Sequence, residues 1–112
     1  MQEILKLVKD GRWAEIEEYT NTELSTGRAS SFLFIETIYF LQSAIFAEEK
    51  PISSTDFDQV HPILKRIFQT SYHIYGDDSE YLFFVGYFIC LGEWCFGLDS
   101  FDQTAAVAGQ HD

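Results

Sequence analysis

The sequence predicts an all-α fold in which four to five helices pack around a central apolar helix at about residues 80–97. The chain of 112 residues is 46% hydrophobic, which is enough to bury one core and predicts a single helical domain over residues 1–112. Apolar residues recur every three or four positions along most of the chain, which is the period of an amphipathic helix. The stretch from Tyr81 to Leu98 contains one charged residue, Glu93, and therefore suits a helix that its neighbours cover.

The N-terminal part predicts either one interrupted helix or two short ones. The apolar residues before Gly11 fall on roughly one helical side: Ile4, Leu5, Leu7 and Val8. Gly11 interrupts this pattern, and Trp13 and Ile16 continue it. The segment from Thr20 to Ser31 is rich in Thr, Asn and Ser and contains Gly27, so it predicts a loop.

A mostly buried helix is predicted from Phe32 to about Glu49. Ser30 or Ser31 can cap its start, because a serine hydroxyl accepts a hydrogen bond from a free backbone N–H of the first turn. Lys50-Pro51 ends it, since the residue before a proline is biased away from helical geometry. Eleven Phe and six Tyr in the chain indicate a core that is densely packed with rings.

The third helix shows the clearest amphipathic pattern, from Phe57 to Tyr75. Thr55 and Asp58 have the spacing of a capping box at its start. Pro62 removes one intrahelical hydrogen bond, so the sequence predicts a kink or a restart there. Gly76 is predicted to end the helix in left-handed geometry.

The fourth helix is the apolar one, and Asp77 and Glu80 form a capping pair at its start. Its length touches the lower limit for a membrane span. Glu93 lies near its end and no Lys or Arg cluster flanks it, so the sequence favours a buried helix over a membrane span.

Metal sites and catalytic sites are not predicted. Gly76 breaks the helix between His73 and Asp77, and the chain has no Cys-x-x-Cys or His-Glu-x-x-His motif. Cys90 and Cys95 diverge by about 140° around a helix, which predicts two buried and unreactive thiols.

No nucleophile motif accompanies the histidines either. His61 lies a few residues after Ser53, Ser54 and Thr55, but the chain lacks a Gly-x-Ser-x-Gly elbow. We therefore expect a protein that is not an enzyme and that needs no cofactor and no metal.

Charge gives the strongest functional indication. The chain has 18 Asp and Glu against 7 Lys and Arg, a net charge of −11, which argues against direct contact with nucleic acid phosphates and favours a basic protein partner. Two cysteines are too few for a disulfide framework. The charged residues Glu3, Lys6 and Lys9 lie among the first apolar residues, where a signal peptide would have a continuous apolar stretch. We expect a cytoplasmic protein, a monomer or small homo-oligomer.

One end of the predicted bundle gathers most of the unexplained acids. If the three long helices alternate in direction, three of their ends meet at one pole. The residues expected there, which we call the acidic pole, comprise seven carboxylates and two aromatic anchors: Glu48, Glu49, Asp56, Asp58, Glu93, Asp99, Asp102, Trp94 and Phe101. The helix dipole accounts for acids at helix starts but not for Glu48, Glu49 or Glu93, which lie near C-terminal ends. The acidic pole is thus the predicted binding surface.

The stretch Tyr81–Leu98 contains the segments Gly86-Tyr87 and Glu93-Trp94-Cys95-Phe96-Gly97. The chain as a whole is small, acidic and rich in Phe and Tyr. In these features the chain resembles the helical immunity proteins of bacterial contact-dependent growth-inhibition and polymorphic toxin systems. The resemblance is one of type, and it carries no site residue over. It implies a cognate toxin domain, often a basic nuclease, that is bound and blocked in the cytoplasm.

We therefore expect an immunity protein that neutralises a basic toxin domain by stoichiometric occlusion. Its carboxylates would face the lysines and arginines of the toxin and raise the rate of association. The alternative is a small acidic secretion chaperone or adaptor that binds an extended segment of a basic protein and leaves its activity intact.

Overall fold

Five α-helices and a short 3₁₀ helix make up the part of the chain that the computed structural model describes, residues 2–47 and 50–96. The elements are α1 (Gln2–Lys9), α2 (Trp13–Ser25), α3 (Ser31–Ile45), α4 (Ser54–Tyr75), α5 (Ser79–Leu91) and the 3₁₀ helix (Glu93–Phe96). No strand occurs in these residues, and the all-α prediction is confirmed.

The helix at the centre of the bundle is α3. It packs against α1, α4 and α5, while α2 packs against α1 and α4, and the 3₁₀ helix covers α4 and α5. The predicted central helix at about residues 80–97 is therefore divided. Its first part is α5, which ends at Leu91 and lies at the side of the bundle, and the 3₁₀ helix follows after the extended residue Gly92.

One continuous core joins these elements. Its largest fully buried side chains come from every helix and include Ile4, Ile16, Phe34, Ile38, Leu41, Leu64, Ile67, Tyr81, Ile89 and Phe96. Burial of this apolar surface is the main stabilising contribution, at about 25 cal/mol for each Å² removed from water. The periodic apolar positions of the sequence thus form the core, as predicted.

Serine side chains cap two helices. The hydroxyl of Ser30 accepts a hydrogen bond from the backbone N–H of Leu33, which confirms one of the two predicted caps of α3. At α4 the predicted capping box of Thr55 and Asp58 is wrong. The cap is Ser53, whose hydroxyl accepts from the N–H of Asp56 at 3.1 Å, because Ser53 is the last extended residue before the helix.

The start of α5 is capped one residue later than predicted. The carboxylate of Asp78, not that of Asp77, accepts a hydrogen bond from the N–H of Tyr81 at 3.0 Å. Asp78 has extended backbone geometry, which places its side chain over the first turn.

The helix α4 is continuous through Pro62, so the predicted restart there is wrong, while the alternative of a kink stays a prediction. Proline costs a single intrahelical hydrogen bond, and the buried neighbours Ile63 and Leu64 hold the segment against the core. The predicted left-handed end of α4 is wrong, because Gly76 keeps right-handed geometry (φ −61°, ψ −15°). Among the described residues, the left-handed glycines are Gly11, between α1 and α2, and Gly27, which follows α2.

Helix ends differ from the predicted ones at two further places. The helix α2 extends to Ser25, so the predicted loop from Thr20 to Ser31 shrinks to residues 26–30. Thr20 is buried, and its hydroxyl donates to the carbonyl of Glu17, so a polar residue that favours loops fits inside the helix. The second difference is that α3 ends at Ile45, before the predicted end at about Glu49.

None of the described helices combines the length and the apolar character that a membrane crossing needs. The apolar helix α5 has 13 residues, whereas the 22 residues of α4 include a polar face.

A buried glutamine fixes α3 against α5. The side-chain amide of Gln42 is 3% exposed and donates a hydrogen bond to the carbonyl of Phe88 at 2.8 Å. That carbonyl lies in the last turn of α5, where the N–H of Gly92 bonds to Ile89 instead of reaching back four residues. Gln42 therefore satisfies a carbonyl that the end of the helix leaves without its usual partner.

Replacing Gln42 by methionine is expected to lower the free energy of unfolding by about 1–3 kcal/mol, because the buried carbonyl of Phe88 then lacks a donor. Urea unfolding followed by circular dichroism measures this change. The control is Gln69→Met on the exposed surface of α4, which should change stability by less than about 0.5 kcal/mol. Equal stability of the two variants would contradict the role of Gln42.

The two cysteines lie in different environments. Cys95 is buried as predicted, but Cys90 is exposed, and the prediction of two buried thiols is wrong for Cys90. The reason is that α5 turns one face to solvent. Burial raises the pKa of the Cys95 thiol from 9.0 to about 11.

This pKa predicts a loss of stability at alkaline pH. The unfolded chain releases the thiol proton near pH 9, whereas the folded protein retains it until about pH 11. The contribution of Cys95 is thus complete below pH 9 and falls as the pH rises, by up to about 1.4 kcal/mol per pH unit. Unfolding at pH 8, 9 and 10 measures the slope, which Cys95→Ala should reduce and Cys90→Ala should leave unchanged. An unchanged slope in Cys95→Ala would contradict this assignment.

Candidate partner-binding surface

Most of the acidic pole lies outside the described residues. This holds for Glu48, Glu49, Asp99, Phe101 and Asp102. Trp94 belongs to the 3₁₀ helix, but its side chain is not among the described ones. The structure therefore places the side chains of three residues of the acidic pole, namely Asp56, Asp58 and Glu93.

Asp56 makes an internal contact. Its carboxylate accepts a hydrogen bond at 3.0 Å from the indole N–H of Trp13, which is 5% exposed at the start of α2. This bond ties the start of α2 to the start of α4. Asp58, two residues later, is exposed to solvent. Of these two acids, Asp58 is the more exposed.

Glu93 begins the 3₁₀ helix, close to the end of α3. The preceding Gly92 is packed so tightly against the ring of Phe46 that an added Cβ would lie 2.5 Å from its Cζ. A separate groove at the start of α4 is lined by Asp56, by Ala44 in the last turn of α3 and by Ala47 just after that helix. The structure thus brings the starts of α4 and of the 3₁₀ helix to one end of α3.

The positive charges of the described residues are partly neutralised, and Lys9 and Lys50 line the same groove as Asp56. Each arginine forms an ion pair with a glutamate: Arg12 with Glu15, Arg28 with Glu23, and Arg66 with Glu17. The Arg28 guanidinium lowers the pKa of the Glu23 carboxyl. Residues 67–112 contain seven Asp or Glu and no Lys or Arg. The C-terminal part of the sequence is therefore purely anionic.

The surface that the sequence did not reveal is aromatic, and it lies along α3 and α5. Large apolar side chains on the outer face of α5 are strongly exposed: Phe83 by 56%, Phe84 by 41%, Tyr87 by 61% and Leu91 by 57%. Tyr39 of α3 is 50% exposed beside them. Scattered exposed apolar residues are ordinary, but a contiguous set of rings marks an interaction surface.

These rings form a groove of about 450 Å³, which we call the aromatic groove. Its lining residues are Ile35, Glu36, Tyr39, Phe83, Phe84, Tyr87 and Phe88. The ring centres of Tyr39 and Phe88 are 5.8 Å apart across the two helices, and those of Phe83 and Phe84 are 5.2 Å apart. The groove is therefore a preformed apolar surface between two packed helices.

Glu36 is the one charged residue in the lining. Only non-polar atoms line the groove, so Glu36 contributes its aliphatic part to the wall, and its carboxylate lies beside the groove rather than in it. Within the described residues, no Lys or Arg pairs with this carboxylate. The helices α3 and α5 contain a second charged residue, Glu80, which is exposed at the start of α5. The two charged residues of these helices are therefore both acidic.

A signal for this surface was present in the sequence. The helix α5 has apolar residues on all sides. Phe83, Tyr87 and Leu91 repeat every four positions and lie on one face, whereas another face carries the buried Leu82, Val85 and Ile89. Sequence periodicity does not say how many neighbours a helix has. With α3 and the 3₁₀ helix as the main neighbours of α5, one apolar face stays uncovered.

The two histidines among the described residues both belong to α4. The ring of His61 stacks on that of Phe57 with ring centres 5.1 Å apart, and His73 is exposed in the last turn of α4. Among the described side chains, no three His, Cys, Asp or Glu residues are placed to hold a metal ion.

No family model matches the chain, and neither a curated protein nor a solved structure matches it.

Proposed function

We propose that this chain is a protein-binding module that contacts a basic partner through the aromatic groove, and that it acts as an immunity protein against a toxin domain. The observation that carries the binding proposal is the contiguous set of exposed rings on α3 and α5. Such rings are the side chains that contribute most to protein–protein affinity. The net charge of −11 supports a basic partner, such as a nuclease domain.

The anionic surface and the exposed rings contribute to different steps of binding. The anionic surface attracts a basic domain over long range and raises the rate of association. The rings then remove apolar surface from water, which slows dissociation. Because Gln42 holds α3 against α5, the groove is formed before binding, and little conformational entropy is lost in the complex. Occlusion of a toxin surface requires no chemistry from this chain.

Co-expression tests this proposal. The toxin to test is the basic C-terminal domain of a large secreted protein, if the gene immediately upstream encodes one. We expect the full chain to restore growth of cells that produce this domain and to form a 1:1 complex with it. The variant His61→Ala/His73→Ala should restore growth equally well, because the proposed function uses neither imidazole.

Two results would contradict the proposal. A toxin that becomes soluble but still stops growth would indicate the chaperone alternative. Loss of growth rescue in the double histidine variant, with binding intact, would indicate an enzyme.

A further inference from the structure

We infer that the aromatic groove receives one apolar side chain of the partner that is flanked by an arginine, and that this arginine pairs with Glu36. This inference rests on the proposed function and names the partner segment that the groove recognises. Three observations lead to it: the size and apolar wall of the groove, the position of its single carboxylate, and the charge of the alternative occupants.

The groove has the size and surface for one anchoring side chain. Its volume of about 450 Å³ falls in the range of small-molecule pockets, about 300–1,000 Å³. An aromatic or large aliphatic side chain fits within it, and the absence of polar surface in the lining disfavours a polar group. The exposed rings of Tyr39, Phe83 and Tyr87 supply edges and faces against which such a side chain packs.

Glu36 selects the residue next to the anchor. Glu36 lines the apolar groove through its non-polar atoms, so its carboxylate lies at most one side-chain length from the wall, where a cation of the partner can neutralise it. Arginine suits this position better than lysine, because its planar guanidinium forms two parallel hydrogen bonds with a carboxylate and stacks on neighbouring rings such as those of Tyr39 and Tyr87. The expected motif is therefore an apolar residue with arginine beside it.

Charge disfavours the other occupants. A second copy of this chain would bring another net charge of −11, and α3 and α5 offer no Lys or Arg to meet Glu36. The segment 97–112 of the same chain contains Asp99, Asp102 and Asp112 and no Lys or Arg. The segment 97–112 therefore supplies no cation for Glu36, and a second copy supplies none through a symmetric contact of α3 and α5, whereas a basic partner does.

Peptide titration of the ¹⁵N-labelled full chain tests the inference without the partner. The probe is the peptide acetyl-Gly-Arg-Trp-Arg-Gly-amide, which should shift the amide signals of α3 and α5 with a Kd of about 1 mM. A matched peptide with glutamate in place of both arginines should bind at least about ten-fold more weakly, because its charges oppose Glu36. Shifts that are scattered over α1 and α2, or equal affinity of the two peptides, would overturn the inference.

Two variants separate the carboxylate of Glu36 from the general negative charge. Glu36→Gln should weaken binding of the arginine peptide about three-fold, in the range measured for exposed ion pairs. Glu18→Gln removes the same charge from the exposed surface of α2, away from the groove, and should leave the Kd unchanged. An equal loss in both variants would contradict a specific pairing with Glu36.

Sedimentation of the free protein tests whether a second copy of the chain occupies the aromatic groove. We expect a monomer. A dimer that Tyr87→Ser dissociates would assign the groove to self-association and overturn the inference.

The peptide and growth experiments distinguish this inference from the proposed function. If the arginine peptide does not bind while growth rescue succeeds, the groove motif is wrong and the proposed function stands. If the arginine peptide binds without growth rescue, the immunity function is rejected and the recognition motif stands.

Discussion

Replacing Tyr81 by alanine is expected to lower the free energy of unfolding by about 3–5 kcal/mol, the range for removing a large buried ring. Tyr81 is fully buried at the first turn of α5, and its hydroxyl lies 2.7 Å from that of Ser71. Because Ser71 donates to the carbonyl of Phe68, Tyr81 is the donor to Ser71. Burial also raises the pKa of this phenol, so it stays protonated at pH values at which an exposed tyrosine loses its proton.

A second substitution divides this effect into packing and hydrogen bonding. Tyr81→Phe retains the ring and should cost about 1 kcal/mol, the net value of one buried hydrogen bond. Tyr87→Ala, on the exposed face of the same helix, is the matched control and should change stability by less than about 0.5 kcal/mol. Chemical unfolding at pH 7 measures all three variants. Equal losses in Tyr81→Ala and Tyr87→Ala would show that α5 does not pack as described.

The double substitution Phe83→Ser/Tyr87→Ser is expected to lower the affinity for the partner by about 100-fold or more. Both side chains are more than half exposed, so their removal should leave the fold intact. Two central aromatic residues of an interface each contribute about 2 kcal/mol or more, and about 1.4 kcal/mol corresponds to a factor of ten. Calorimetry with the toxin domain, together with loss of growth rescue, measures the change.

The matched control is Ile74→Ser, which removes an apolar side chain of similar exposure, 48%, from α4 outside the groove. Its affinity should equal that of the unchanged protein. The acidic pole gives the competing outcome. If Asp99→Lys/Asp102→Lys abolishes binding while the double serine variant binds normally, the contact surface is the acidic pole and not the aromatic groove.

The sequence predicted the helices well where local chemistry decides. The periodic apolar residues of α4 and the cap at Ser30 depend on contacts within one or two turns, and both are found in the structure. Predictions failed where two local signals compete. Ser53 and Thr55 are both good caps, and the choice between them depends on where the chain leaves its extended geometry.

The candidate site was harder to predict, because exposure depends on neighbours. Phe83 and Phe88 are the same residue type in one apolar helix, yet Phe83 is 56% exposed and Phe88 is 7% exposed. The difference comes from α3, which packs against one side of α5 and leaves the other uncovered. For Asp56, too, the hydrogen bond from Trp13 links residues 43 positions apart, which no sequence motif indicates.

By itself the sequence determined the all-α class, a range of four to five helices and an excess of negative charge, because these follow from the spacing and type of residues along the chain. The tertiary structure alone decided that α3 is the central helix and that α5 presents rings to solvent. The physical reason is that a helix as apolar as α5 has no preferred face of its own, so the packing of its neighbours selects which of its rings remain exposed.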